Sequence, residues 1–300
     1  MLPARLTPGD TIGVISPSSV LDEVKYARDV AVLNRLGFQV TRAANVTQDT
    51  DGYIASAQER ADDLNSMVAD DSVKMILFSG GDGAIELLPL IDYDNIAAHP
   101  KIFSSFSDAT SLLLAIHART GLVTYYGAGI HEFTDLRQYD YEQFQTHFVD
   151  GCENPRFVSD SVWRTLAGGR ARGRLIGGYA GLFALMLASP YFSYDDQASY
   201  LLFIEDHEYF SEVGTVNTYL SIIEQSPFMA NVTGLMFGHY ALEVPADLLS
   251  RLERFGRRND IPVIYTDDFG HGTRHAIFPI GVEASLDADA QTLMFGGPLA

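Results

Sequence analysis

The chain opens with short apolar runs that alternate with longer amphipathic ones. Residues 11–16 (TIGVIS) form a near-continuous apolar run of strand length. Pro17-Ser18-Ser19 follows, then an amphipathic stretch over 21–36 closed by Gly37, the residue that most readily caps a helix C-terminus. Residues 39–44 predict the next strand and 58–68 a helix. Residues 73–78 (VKMILF) predict a buried strand that runs into Ser79-Gly80-Gly81-Asp82-Gly83 and a helical segment over 84–90. A strand over 101–106 and a helix over 108–119, closed by Thr120-Gly121, complete the series. Strand and helix in this alternation predict an α/β fold: parallel βαβ units, a sheet covered on both faces, and a ligand crevice at the strand C-terminal ends.

The pattern then changes. Residues 133–160 are acidic and aromatic with weak periodicity, which predicts helix and connector. Beyond them glycines at 168, 169, 173, 177, 178 and 181 punctuate the chain, and strands are predicted over 200–204, 234–237 and 262–266. The expected division is a first domain over 1–150, a connector over 151–165 and a second domain over 166–300, since 300 residues exceed the usual single core.

Composition narrows the partners. The apolar fraction of 47% supplies a sizeable core, while 20 basic against 39 acidic residues give a net charge of −19. Such a surface repels nucleic-acid backbones and anionic headgroups, so no nucleic-acid polymer and no membrane is expected as partner. A small anionic ligand is not excluded, because a pocket can carry a local field of its own. Cys152 is the single cysteine, so no intrachain disulfide and no cysteine-based zinc site can form. The first residues lack the apolar core of a signal peptide. The longest apolar runs, such as 112–116, fall far short of the ~20 residues that span a bilayer. A cytoplasmic protein is expected.

Four segments could carry chemistry. Ser107 stands where an apolar strand meets an apolar-faced helix. A sharp turn there exposes a nucleophile, and the helix N-terminus offers amides to a developing oxyanion; the plain reading is a helix N-cap. The run from Ser79 to Gly83 could cradle phosphate, form half of an oxyanion hole, or be an ordinary βα turn. Its GGDG pattern also occurs in small-molecule kinases, but Ala84 follows where a hydroxyl residue is needed and lysine is scarce nearby. Glu205-Asp206-His207-Glu208 ends an apolar strand and could orient an imidazole, bind a metal, or simply be an exposed strand end. Consecutive strand residues face opposite ways, so no metal site is expected. His271 lies between two glycines, exposed as a general base needs to be, with His275 as its competitor. Histidines 99, 117, 131, 147, 207 and 239 show no partner spacing.

Taken in order, these segments resemble the LD-carboxypeptidase family of serine peptidases, which includes the microcin C immunity hydrolases. The resemblance runs from Gly9-Asp10-Thr11-Ile12 and Ser16-Pro17-Ser18 through Gly80-Gly81, Leu87-Leu88-Pro89 and Asp92-Tyr93 to Pro100-Lys101. It continues with Ser107-Asp108-Ala109-Thr110, Thr124-Tyr125-Tyr126-Gly127, Phe203-Ile204-Glu205-Asp206, Gly270-His271 and Phe278-Pro279-Ile280-Gly281, whose spacing selects His271 over His275.

The resemblance implies an N-terminal Rossmann-like parallel sheet flanked by helices and a C-terminal mixed, β-rich α/β domain. It also implies a homodimer acting without a cofactor. Ser107 would attack a carbonyl, His271 would move the proton and Glu205 would hold the imidazole. The oxyanion would be met by the Asp108 amide and one from Gly81 or Asp82, with Gly80 lining the substrate site. The substrate would be a small peptide or peptidyl nucleotide: an aminoacyl nucleotide in the microcin branch, a muropeptide tetrapeptide losing its terminal D-alanine in the other. Trp163, as a stacking platform, and Tyr125-Tyr126 favour the nucleotide branch, although Trp163 also reads as a packing residue. The sequence departs from the family at Ser105-Phe106 (glycine–tyrosine elsewhere), at Tyr179 (asparagine) and at Ala128 (proline). A non-catalytic ligand-binding member of the fold is the alternative of another class.

Overall fold

The computed structural model describes residues 1–151 and 156–296, so Cys152 lies outside the described residues. Five parallel strands, β1 (Thr11–Ile15), β2 (Gln39–Arg42), β3 (Val73–Phe78), β4 (Ile102–Ser105) and β5 (Thr124–Tyr126), build the first sheet. The second contains β6 (Arg164–Ala167), β7 (Arg170–Tyr179), β8 (Tyr200–Glu205), β9 (Val232–His239) and β10 (Val263–Gly270). Of the last strands, β11 (Phe278–Ile280) returns to the first sheet, antiparallel to β5, while β12 (Glu283–Asp287) and β13 (Thr292–Phe295) extend the second. The orders are β11-β5-β4-β3-β1-β2 and β13-β12-β7-β8-β9-β10-β6, with β7 to β10 parallel and β6, β12 and β13 antiparallel. The fold is mixed α/β, as the alternation of elements implies.

Local chemistry explains the helices that connect the first sheet. In α1 (Glu23–Arg35) the Asp22 carboxylate accepts the amides of Val24 and Lys25; in α2 (Ala57–Ala69) Ser56 and Glu59 form a reciprocal capping box. The segment expected to be helical after β3 is a 3₁₀ turn, Ala84–Leu90, because Pro89 within it has no amide to donate to an α-helical ladder. A short α3 (Tyr93–Ala98) precedes β4. Helix α4 (Thr110–Thr120) is buried from Thr110 through Ile116 and packs against both α6 (Ala180–Met186) and β7, which puts its N-terminus between the two sheets. Helices α5 (Gln138–Phe144), α7 (Val213–Gln225) and α8 (Ala246–Asn259) complete the set. The aromatic character of 133–160 resolves into a packed cluster, with Phe144 edge-on to Phe38, Phe133 and Phe148. Among the described residues no helix is long and apolar enough to cross a membrane.

The sequence pattern left β7 invisible, yet it is ten residues long and central to its sheet. Its alternation of arginine and glycine carries little apolar signal. Gly177 shows why glycine is needed there: at φ 155°, a Cβ would lie 1.6 Å from the Phe203 carbonyl oxygen of the neighbouring β8. Gly177→Ala is therefore expected to destabilise the protein by about 3 kcal/mol or more, read as a lowered urea midpoint. An unchanged midpoint would refute the close approach of the two strands.

Candidate active site

Three strand ends converge on one point. Strand β4 stops at Ser105, Phe106 continues with extended backbone, and Ser107 takes φ 59°, in the left-handed region that a residue with a Cβ avoids. Holding it there costs about 1–3 kcal/mol, and the turn is braced accordingly. The Ser107 amide donates to Tyr126 Oη at 3.1 Å, and the Ser107 carbonyl accepts Thr110 Oγ1 at 2.7 Å. The Ser107 hydroxyl is thereby turned towards the imidazole, with Oγ 2.9 Å from His271 Nε2. His271 directly follows β10, and its Nδ1 lies 2.8 Å from Oε2 of Glu205, the last residue of β8. Ser107, His271 and Glu205 are thus brought together from positions far apart in the chain.

Glu205 is fully buried. Its second oxygen accepts Tyr126 Oη at 2.5 Å, so the tyrosine hydroxyl donates to Glu205 while it receives the Ser107 amide. Burial, then the Glu205 charge, push the Tyr126 pKa well above its ordinary value and keep it a donor. With Glu205 an anion, the proton of neutral His271 belongs on Nδ1, which leaves Nε2 to accept from Ser107. Burial alone lowers the His271 pKa. The charge and hydrogen bond of Glu205, with Asp206 and Glu132, outweigh it, and the net shift is upward. Phe106 and Phe210 stand edge-on to the imidazole, each with its ring centroid 5.0 Å away.

The remaining expected residues divide. Gly80, Gly81, Asp82 and Asp108 share with Ser107 and His271 a cleft of about 360 Å³. At Gly81 (φ 140°) a Cβ would fall 2.0 Å from the Ser18 carbonyl oxygen, so only glycine fits the turn. Asp82 is corrected as an oxyanion donor: its amide already donates to the Ser18 carbonyl at 2.8 Å. Trp163 is corrected as a stacking platform. It is buried beside Phe157, with Nε1 donating to Asp268 Oδ2 at 2.7 Å, and does not line the cleft. Tyr125 and Tyr126, read as favouring the nucleotide branch, are both buried in β5 and do not line the cleft. His275 turns away to Asp140, its amide donating to Oδ1 at 2.8 Å and its Nδ1 lying 3.5 Å from Oδ2. Among the described residues no group of three or more His, Cys, Asp or Glu side chains is placed to hold a metal ion.

Three contributors escaped the sequence reading. Tyr126 is one. The Asp108 carboxylate accepts the Ala84 amide at 2.7 Å and so ties the glycine turn to the serine turn. Buried Arg60 donates to the carbonyls of Pro17 at 2.7 Å and Gly83 at 3.1 Å, and pairs with Glu86 at 2.6 Å, clamping the loop at Pro17 to the glycine turn that borders the cleft. No local motif marks an arginine for that role.

Asp206 follows Glu205 and is equally buried. Burial first, and the nearby Glu205 charge, push its pKa from 3.8 up to about 6, against the His207 amide that donates to Oδ1. Between those values the native state holds a proton that the unfolded chain has lost, so this carboxyl lowers stability as pH rises through the window. Asp206→Asn should therefore gain stability relative to wild type on going from pH 4 to pH 7, in urea midpoints taken across that range. A difference independent of pH would exclude the shift.

Comparison with known proteins places the chain in a family. The profile of the LD-carboxypeptidase N-terminal domain matches residues 12–127 and that of the LD-carboxypeptidase C-terminal domain residues 172–286. A probable murein peptide carboxypeptidase of Bacillus subtilis (strain 168) is 31% identical over 97% of this chain and 92% of its own length. The crystal structure of an MccF-like protein from Bacillus anthracis str. Ames superposes with a TM-score of 0.86, at 29% identity over 98% of both chains. The structure of MccF in complex with glutamyl sulfamoyl guanosine does so with a TM-score of 0.83, at 25% identity over 99% of both. Two profile matches spanning most of the chain, and likeness over nearly its whole length, make the conclusion plain: this protein belongs to the LD-carboxypeptidase family and is a hydrolase of the serine peptidase type.

Proposed function

We propose that Ser107, His271 and Glu205 form a catalytic triad that cleaves an amide-type bond in a small aminoacyl or peptidyl nucleotide. The hydrogen-bonded chain from Ser107 Oγ through His271 to Glu205, set on a strained strand-to-helix turn, is the observation that carries the reading. Ser107 Oγ attacks the carbonyl carbon as His271 Nε2 takes its proton. The tetrahedral intermediate's oxyanion is received by the amides of Gly81 and Asp108, both of which border the cleft. His271 then returns the proton to the departing nitrogen, and the C–N bond breaks to leave an acyl-enzyme. Water, deprotonated by the same imidazole, releases the acid and restores the serine. Glu205 holds the tautomer and offsets the imidazolium charge. The nucleophile belongs to the half we place at 1–150, while Glu205 and His271 belong to 166–300.

The nucleotide substrate is supported by the likeness to MccF, whose structure holds glutamyl sulfamoyl guanosine. A second reading, removal of a terminal D-alanine from a muropeptide tetrapeptide, is supported by the 31% identical relative named as a probable murein peptide carboxypeptidase. Incubating the protein with a muropeptide tetrapeptide and with an aminoacyl sulfamoyl adenosine, products read by mass spectrometry, separates the two. Ser107→Ala should abolish turnover of whichever substrate is used. Glu205→Gln should lower kcat by about 10⁴, as loss of the tautomer-holding carboxylate does in other triads. A Ser107→Ala protein that retains turnover would rule out the serine mechanism.

The pH profile follows from the raised histidine pKa. A general base must be neutral, so kcat/KM should fall as pH drops through the His271 pKa. The midpoint of that acid limb should lie above the ordinary histidine value of about 6.5. In Glu205→Gln the limb should move to lower pH, because the anion that raised it is gone. A limb that stays in place would assign it to another group.

A further inference from the structure

Much of the cleft lining is apolar. Helix α6 supplies Leu182 and Leu185, α7 supplies Tyr219, and Tyr179 and Phe210 close the wall beside the imidazole. Tyr219 reaches over Gly181, where a Cβ would lie 3.1 Å from its ring, so the aromatic face is set close to the α6 backbone. Leu185 is 60% exposed and Phe210 62% exposed, apolar groups held in water at the mouth of the site.

The charges point the same way. Among the described residues lining the cleft the carboxylates are Asp82 and Asp108, and neither lysine nor arginine is present. Glu205 and Asp206 lie buried near the imidazole and add to the negative potential there. Arg60 clamps the glycine turn from behind, with its guanidinium committed to three carbonyls and to Glu86. An acidic acyl group placed against this wall would lose water and meet carboxylates without a cation in return.

We propose that this wall is the specificity pocket for the acyl side of the scissile bond and that it selects an apolar or aromatic aminoacyl group against an acidic one. The inference rests on the serine-hydrolase reading above and departs from the glutamyl conjugate seen with MccF. Phenylalanyl, leucyl and glutamyl sulfamoyl adenosine serve as probes, with turnover measured on the wild-type protein and affinity by calorimetry on Ser107→Ala.

The phenylalanyl or leucyl conjugate is expected to exceed the glutamyl one by about 100-fold in kcat/KM, because like charges set together are strongly disfavoured. Leu185→Lys, at an exposed position that tolerates the change, should narrow the gap at least tenfold by raising the glutamyl rate. Selective binding of the apolar conjugates without turnover would uphold the pocket and overturn the hydrolase reading. Turnover with the glutamyl conjugate equal or preferred would overturn the pocket and leave the hydrolase reading intact. Absence of both binding and turnover would overturn both. A Leu185→Lys protein that changes its oligomeric state while keeping wild-type selectivity would reassign the wall to a contact between subunits.

Discussion

The site is organised around one buried negative charge. Glu205 has no exposure to water, and an isolated carboxylate in that position would be prohibitively unstable or would take up a proton. It is held by the Tyr126 hydroxyl from the first sheet and by the His271 imidazole from the end of β10. Because Tyr126 also receives the Ser107 amide, the same hydroxyl fixes the Ser107 backbone. The carboxylate therefore links both sheets, the serine turn and the imidazole in one network. Removing the Tyr126 hydroxyl or the His271 imidazole would leave the buried Glu205 carboxylate short of a partner.

Much of the first sheet could be read from the chain because parallel strands buried on both faces write themselves as apolar runs, and capped amphipathic helices separate them. The second sheet was legible only in β8, β9 and β10. Strand β7 hides behind arginines and glycines that its close neighbours require, and β12 alternates buried with less buried positions and so shows no apolar run. Ser107, Glu205 and His271 were legible because each sits where a strand ends, a position that sequence marks by an apolar run giving way to polar residues. Tyr126 was not, since its role depends on two partners, one of them 79 residues away. The errors have the same root: Trp163 and Asp82 have suitable chemistry, but Asp268 and the Ser18 carbonyl already occupy them.

Backbone strain and packing are balanced around Ser107. Its left-handed conformation is retained because several neighbours determine it at once: Tyr126 below, Thr110 ahead and, through Asp108 and Ala84, the glycine turn across the cleft. Thr110 also accepts the Tyr179 amide, so the segment joining β7 to α6 is tied to the same turn. A residue conformation that would relax in isolation becomes the one that best satisfies its surroundings. The cost is absorbed by interactions that also set the shape of the cleft.

The return of β11 to the edge of the first sheet has a consequence for how the protein comes into being. A chain leaves the ribosome from its N-terminus, and the strand that lies beside β5 emerges long after β5 itself. Ser107 is made 164 residues before the histidine that faces it. Until β10 and β11 dock, the nascent protein displays Ser107 without the imidazole that faces it, and the edge of its first sheet stands open. On the triad proposed above, a chain cut short before His271 would hold Ser107 without its base and be silent towards the amide bonds around it.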